Sequence, residues 1–184
     1  FYTGILNKLN VAICICGVGK ANAAHGTTIL LERFRPYEIW VLGIGGAYPS
    51  SGLEIGDIAI AKKEIYGDEG LLIGSESVSN NFFTMDKLNL PLTIVDGEHY
   101  FNEFPMFIPD RLKKIILNSE HLMSNQKSKI IKGNFITVST CTGTLKKAYQ
   151  IEKRFGAICE SMEGASIAHT SLFYKTPVIE IRSI

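Results

Sequence analysis

The sequence has no long apolar run, no CxxC pair and no excess of either charge. No stretch approaches the ~20 consecutive apolar residues that a membrane helix requires, and no signal-peptide pattern is visible. Nineteen basic residues stand against 18 acidic ones, for a net charge of +1. A nucleic-acid binder usually carries a basic excess on one face, so a small molecule is the expected partner, with neither nucleic acid nor membrane. The four cysteines (Cys14, Cys16, Cys141 and Cys159) match no zinc spacing. They read as free thiols in a reducing, cytoplasmic compartment. Cys14 and Cys16 alternate within an apolar run and would share one strand face. Cys141 sits in a hydroxyl-rich loop and reads as a packing residue rather than a nucleophile. The four histidines (His25, His99, His121 and His169) lack ligand spacing and read as structural or surface residues. No internal repeat and no low-complexity linker divides the chain, which is read as one domain.

What is present is an ordinary globular mixture, 46% hydrophobic and 20% charged, in 184 residues, enough for a core. Residues 1–10 read as a hairpin with Asn7-Lys8-Leu9-Asn10 as its turn, and Val11–Cys16 as a buried strand. Gly17-Val18-Gly19-Lys20 opens a helix that reaches about Phe34 and is ended by Pro36. Buried strands follow at Glu38–Leu42 and Ile55–Ala61. Residues 67–105 offer no regular element, and a helix is expected over Asp110–Leu122. The last third predicts a strand at Ile130–Val138, a helix at Leu145–Phe155 and a strand at Ala157–Glu160. A helix at Glu163–Tyr174 and a strand from Pro177 complete it. Strands alternating with helices argue for a mainly parallel sheet covered on both faces.

In such a sheet, ligands bind at the carboxyl ends of strands. Four loops are expected to leave strands at that edge or to sit close to it: Gly17–Lys20, Gly43–Ala47, Ser139–Thr144 and Glu160–Gly164. Gly43-Ile44-Gly45-Gly46 would let backbone N–H groups approach a ligand, and equally serves as a tight turn. It is not GxGxxG, and Gly17–Lys20 lacks P-loop spacing, so neither reads as a nucleotide-phosphate loop. Ser139-Thr140-Cys141-Thr142-Gly143-Thr144 offers small hydrogen-bonding groups that could wall a flat polar ring, although Thr144 also suits a helix N-cap. Glu160-Ser161-Met162-Glu163-Gly164 is the most informative stretch. Glu163 suits the positive end of a helix, and its carboxylate, with about four acceptor sites, also matches a sugar diol. Met162 would then pack on the sugar ring. Met85, Tyr100, Phe101, Phe104 and Phe107 form a loosely aromatic segment that reads as core or as the roof of an apolar pocket.

Taken in order, these pieces resemble a known family. Phe1-Tyr2-Thr3-Gly4, Gly17–Ala24, the Gly43–Ala47 loop and Leu53–Ile58 look like the first half of the methylthioadenosine/S-adenosylhomocysteine nucleosidases. Ser161–Gly164, Ile167-Ala168-His169 and Pro177–Ile184 continue the match, so that it covers nearly the whole chain. Phe34-Arg35-Pro36, Thr137–Thr144 and Met162-Glu163-Gly164 with Glu180-Ile181-Arg182 resemble the futalosine hydrolase branch. In the methylthioadenosine branch an acid and a stacking phenylalanine occupy the places of Cys141 and Gly143. The phosphorylases carry a phosphate-holding arginine before the glycine loop, where this chain has Val41-Leu42.

The resemblance implies a three-layer α/β/α sandwich around a mixed, mainly parallel sheet. It implies hydrolysis of futalosine to hypoxanthine and dehypoxanthinyl futalosine, a step of menaquinone biosynthesis. A homo-oligomer is expected, with a purine nucleoside as small-molecule partner and no metal or organic cofactor. Glu163 would hold the ribose diol with Met162 packed beneath it, and Gly45 and Gly46 would lie against the sugar and the attacking water. Thr140, Thr142 and Thr144 would contact the purine, and Ser161, Ile44 and Gly143 are expected to bind the substrate as well. The family's general acid corresponds to a position beyond Ile184 and its water-activating glutamate to one before Phe1, so no catalytic acid or base is assigned within 1–184. Both ends read as cut, and the 184 residues alone are expected to be inactive. Robust turnover by them would overturn this. The alternatives left open are a methylthioadenosine/S-adenosylhomocysteine nucleosidase, a purine nucleoside phosphorylase and a non-catalytic nucleoside-binding protein.

Overall fold

Two left-handed residues shape the start of the chain. In the computed structural model, which describes residues 1–74, 82–111, 113–114 and 128–184, Asn7 and Lys8 have φ of 48° and 68°. Such a pair makes a two-residue turn whose twist matches that of paired strands. Strands β1 (Tyr2–Leu6) and β2 (Leu9–Ile13) therefore pair antiparallel, with Leu6 opposite Leu9. The turn is shorter than the expected Asn7–Asn10. The buried strand expected at Val11–Cys16 is also corrected. β2 stops at Ile13, pairs with β1 alone among the described residues, and is mostly exposed. Cys14 and Cys16 follow it half-buried. Both lean on Gly26, where a Cβ would lie 2.9 Å from Cys16 Cβ and 3.0 Å from Cys14 Sγ.

Helix α1 spans Lys20–Phe34 and ends at Arg35, whose φ of 45° leaves the helical region just before Pro36. Next come β3 (Ile39–Ile44), β4 (Gly46–Ala47) and β5 (Ile58–Tyr66). Asp57 fixes where β5 begins. It is buried, and its two oxygens accept from the backbone N–H groups of Lys129 at 2.7 Å and Glu54 at 2.8 Å. Those bonds hold its carboxyl below the usual carboxylate range. A depressed pKa contributes stability that is present above the ordinary value and lost as pH falls through the folded one. Asp57→Asn is therefore expected to lower the melting temperature at neutral pH and to flatten its decline in acid, as thermal melts over a pH series would show.

The stretch 67–105 holds short strands where none was expected: β6 (Gly70–Leu72), β7 (Phe82–Thr84), β8 (Thr93–Val95), β9 (Glu98–Tyr100) and β10 (Glu103–Pro105). The helix expected over 110–122 falls mostly outside the described residues, as does His121. The last third follows expectation closely, with β11 (Ile130–Thr137), α2 (Leu145–Phe155), β12 (Ala157–Ser161), α3 (Gly164–Phe173) and β13 (Val178–Ser183).

The main sheet runs β3-β13-β5-β11-β12-β4, with β10 also paired to β5. Its longest ladders, β5 with β11 and β3 with β13, are parallel; β13 with β5, β12 with β4 and β10 with β5 are antiparallel. Neighbouring residues of a strand face opposite sides. Ile65 packs with Ile136, Val138 and Ile151 of α2, while Tyr66 packs with Phe104 and with Ala165 and Ala168 of α3. α1 lies against α3 through Ala23, Leu31 and Ile167. Helices thus cover both faces, as the expected three-layer sandwich requires. No described helix is long and apolar enough to cross a membrane.

Candidate active site

The sheet curls until its two edges meet. β3 continues past Gly45 into β4, where Gly46 and Ala47 pair with Glu160 and Cys159 of β12. Gly45 N–H donates to the Ser183 carbonyl at 2.9 Å and Tyr48 N–H to that of Ile158 at 3.0 Å. Two glycines are demanded here by close approach. A Cβ at Gly43 would collide with the Arg182 guanidinium, and one at Gly45 with Cys159 Sγ. The protein's own side chains fill the space that the sequence reading offered to a ligand. Gly46 keeps room, with only Glu160 Cβ in contact at 3.9 Å. Ile44 is exposed, and its carbonyl accepts from Arg182 Nη1 at 3.3 Å.

Ser139–Thr144 and Glu160–Gly164 leave the parallel strands β11 and β12 at one edge. Gly43–Ala47 leaves its own strand at the opposite edge and comes close to them through the pairing of β4 with β12. β13 and β5 are antiparallel, with Ile181 opposite Ile60, so β3 and β13 end beside the start of β5. The glycine loop reaches β12 only because the sheet closes.

Glu163 occupies the N-cap position of α3 but makes no side-chain cap. Ser161 Oγ takes that part, accepting from Gly164 N–H at 3.3 Å. The Glu163 carboxylate reaches across the fold instead. Oε1 accepts from Gly19 N–H at 3.0 Å and Oε2 from Arg182 Nη2 at 3.2 Å. A carboxylate has about four acceptor sites, so about half its capacity is left toward solvent. Gly17–Lys20, read as a helix start, thereby joins the site. The Lys20 ammonium is ion-paired to Asp68 and, at 2.9 Å, to Glu69, and Asp68 also accepts from Ser139 N–H at 2.7 Å.

The hydroxyl-rich loop is pinned from below. Glu160 accepts from Thr142 N–H at 2.8 Å, from Thr142 Oγ1 at 2.5 Å and from Tyr48 Oη at 2.7 Å. Burial, then the bond to Glu160, pushes the Tyr48 phenol above its ordinary value. Thr142 is thus oriented by Glu160. Thr144 caps α2, accepting from Lys147 N–H at 3.3 Å. Thr140 and Gly143 are exposed, and Gly143 has open space where a side chain would stand. Cys141 Sγ lies 3.5 Å from Met162 Sδ.

Other expected features lie elsewhere. Phe104 is core and stacks on His169 at 4.7 Å, with burial lowering the imidazole pKa. A cavity of about 920 Å³ lies on the α2 side, lined among others by Phe82, Lys87, Tyr100, Phe101, Lys153 and Arg154. It touches none of the expected site residues. Glu64 stands in none of the motifs read from the sequence, while Glu160, Lys20, Glu180 and Arg182 stand there only as members of longer motifs with no role of their own. Charged residues inside apolar strands, as at Glu64, Glu180 and Arg182, were the available signal, because a buried charge is kept only when paired.

A model of the phosphorylase superfamily matches residues 1–184. The chain belongs to that superfamily. Within it, the 5′-methylthioadenosine/S-adenosylhomocysteine nucleosidase of Maridesulfovibrio salexigens is 30% identical over 190 residues, covering 100% of this chain and 71% of the relative. The nucleosidase of the same name from Desulfotalea psychrophila is 27% identical over 185 residues, covering 100% and 70%. Among solved structures, that nucleosidase from Colwellia psychrerythraea, in complex with adenine, matches with a TM-score of 0.73 and 25% identity, over 98% of this chain and 67% of that one. A futalosine hydrolase mutant of Helicobacter pylori matches with a TM-score of 0.71 and 17% identity, over 99% and 73%. At that identity the likeness is one of fold. The phosphorylase-superfamily chain is thus of the nucleosidase type, and the mixed α/β/α fold expected from the resemblance is the one found.

Proposed function

We propose that this superfamily member hydrolyses the N-glycosidic bond of a purine ribonucleoside, and that the nucleoside is futalosine. The observation that carries the reading is Glu163, a carboxylate held at both oxygens by Gly19 and Arg182 yet still able to accept from a 2′,3′-diol. Cleaving the bond leaves positive charge on the ribose ring and negative charge on the departing purine. Glu163 would bind the diol and stabilise the ring cation, with Met162 packed beneath the sugar and Gly46 beside it. Ser161 supports this by capping α3, which leaves the Glu163 carboxylate free.

Water is the proposed acceptor. Val41-Leu42 stand where a phosphate-holding arginine would precede the glycine loop. Of the described cations near Glu163, Arg182 is held by Glu180 and Glu163, and Lys20 by Asp68 and Glu69. Futalosine is favoured by the base loop, where Thr140, Thr142 and the open Gly143 offer hydroxyls and space with no stacking ring. The relatives' names favour a second reading, a methylthioadenosine/S-adenosylhomocysteine nucleosidase.

The test uses the full gene product with futalosine, methylthioadenosine and inosine, each with and without phosphate, and follows free base by chromatography. Hypoxanthine from futalosine alone, without phosphate, is the expected result. Adenine from methylthioadenosine would move the function to the second reading, and a phosphate requirement would make the protein a phosphorylase. No release from any substrate would favour a nucleoside-binding protein. The expected homo-oligomer belongs to the same proposal and is read from light scattering of that preparation.

A further inference from the structure

Two carboxyl groups lie fully buried beneath the candidate site. Glu64 on β5 and Glu180 on β13 both have 0% exposure. Each has one satisfied oxygen: Glu64 Oε2 accepts from Thr137 Oγ1 at 2.7 Å, and Glu180 Oε1 from Arg182 Nε at 2.7 Å. Their other oxygens, Glu64 Oε1 and Glu180 Oε2, are buried and have no conventional donor among the described residues. Both crowd one point, where a Cβ on Gly164 would collide with each of them. With both groups ionised, two bare oxygens would face one another without a donor. With one proton between them, each oxygen is the other's partner. Such an arrangement is a known solution for carboxyls forced together.

We propose that Glu64 and Glu180 are positioning residues for the diol-binding carboxylate: they share one proton, and the single negative charge they keep holds Arg182 so that its Nη2 faces Glu163. The inference rests on the diol-binding role proposed for Glu163. Its physical content is charge balance. Arg182 has two anionic neighbours, and its Nε is committed to Glu180 before its Nη2 meets Glu163 at 3.2 Å. Without the charge on Glu180 the guanidinium would belong to Glu163 alone. It would then neutralise the charge needed against a ribosyl cation and take acceptor sites from the diol. Gly164 is what lets the pair sit directly under the head of α3.

The surrounding groups agree with one shared proton. Complete burial, then the charge of Glu180 and the bond between the two carboxyls, pushes Glu64 well above the usual carboxylate range, against weaker opposing effects from Thr137 and Arg182. Arg182 is lowered by burial, but the charge and hydrogen bond of Glu180, then the charge of Glu163, outweigh this and raise it. Cys159 on β12 is pushed up to about 12 by burial and by both glutamates, and Tyr66, further along β5, is raised by burial and by nearby acids including Glu64. The pair thus sits among one cation, the Glu163 carboxylate, and a thiol and a phenol that stay neutral.

The test has an arm independent of activity. In the full gene product at neutral pH, infrared spectroscopy is expected to show a protonated-carboxyl C=O band that disappears in Glu64→Gln. A wild-type spectrum without that band overturns the shared proton, whatever the substrate. The second arm compares kcat/KM for a ribonucleoside substrate and its 2′-deoxy analogue. Glu180→Gln is expected to cut the preference for the ribose form by about tenfold, on the order of one charge-assisted hydrogen bond. If Glu163→Gln abolishes that preference while Glu180→Gln leaves it intact, the positioning role fails and the diol reading stands. If Glu163→Gln leaves it intact, the diol reading itself is wrong. Should Glu180→Gln not fold, the infrared arm still decides whether the pair shares a proton.

Discussion

Replacing Glu163 with glutamine is expected to lower kcat/KM for the ribonucleoside by roughly a hundred- to a thousandfold, about 3–4 kcal/mol of transition-state stabilisation. The substitution keeps the size of the side chain and removes its charge. Two things are lost together. An amide has one acceptor oxygen where the carboxylate has two, so the diol loses a partner. The ring cation also loses a fixed negative charge in a site where the side chain is only 15% exposed. The amide N–H groups would in addition face either Arg182 or Gly19, both donors in the native structure. Steady-state kinetics on the full gene product would check this. A drop confined to KM would mean that Glu163 binds sugar in ground state and transition state alike, and does not stabilise the cation.

Glu160→Ala is expected to destabilise the protein by about 2–4 kcal/mol, because it removes three hydrogen bonds to a charged group and orphans a buried phenol. Tyr48 is only 3% exposed and its hydroxyl donates to Glu160. For a chain of this size the loss corresponds to a fall in melting temperature on the order of 5–15 °C. The same change frees Thr142, so affinity for the substrate should fall with stability, while Glu160→Gln, which retains an acceptor for Tyr48, should cost less. Adding Tyr48→Phe to Glu160→Ala is expected to restore part of the loss, since the orphaned hydroxyl disappears. Thermal melts of the two single variants and the double variant measure the coupling. Strict additivity would show that Tyr48 and Glu160 do not depend on one another.

Helix α2 shows why some of the fold was legible. Its bounds, Leu145–Phe155, coincide with expectation because both ends are set by local chemistry, with Thr144 accepting from Lys147 N–H and Gly156 adopting a φ of 59°. The three-residue strands of 67–105 were not legible, since so short a segment carries no periodicity. The N-terminal hairpin was legible as a hairpin, but its burial was not. An apolar run such as Val11–Cys16 reads the same whether or not another layer covers it.

The candidate site divides along the same line. Glu163, Met162 and the 139–144 loop could be put forward as candidates because strand-to-helix junctions can be located from sequence. Glu64 was passed over, and Glu180 and Arg182 were quoted only within the resemblance, because the groups that give them a role lie far off in sequence: Thr137 on β11 meets Glu64, and Glu163 at the head of α3 meets Arg182, only in the fold. From the sequence alone came the superfamily, the order of the longer strands and helices outside 67–105, and the place of Glu163 at the head of α3. Those depend on local patterns of hydrophobicity, glycine and capping groups. Tertiary packing sets β13 antiparallel to β5 and closes the curled sheet through the glycine loop onto β12. That closure brings Arg182 between Glu180 and Glu163, and sets Glu64 against Glu180 under Gly164. Pairing direction and closure are settled by how whole faces bury one another, and no short window of sequence contains that information.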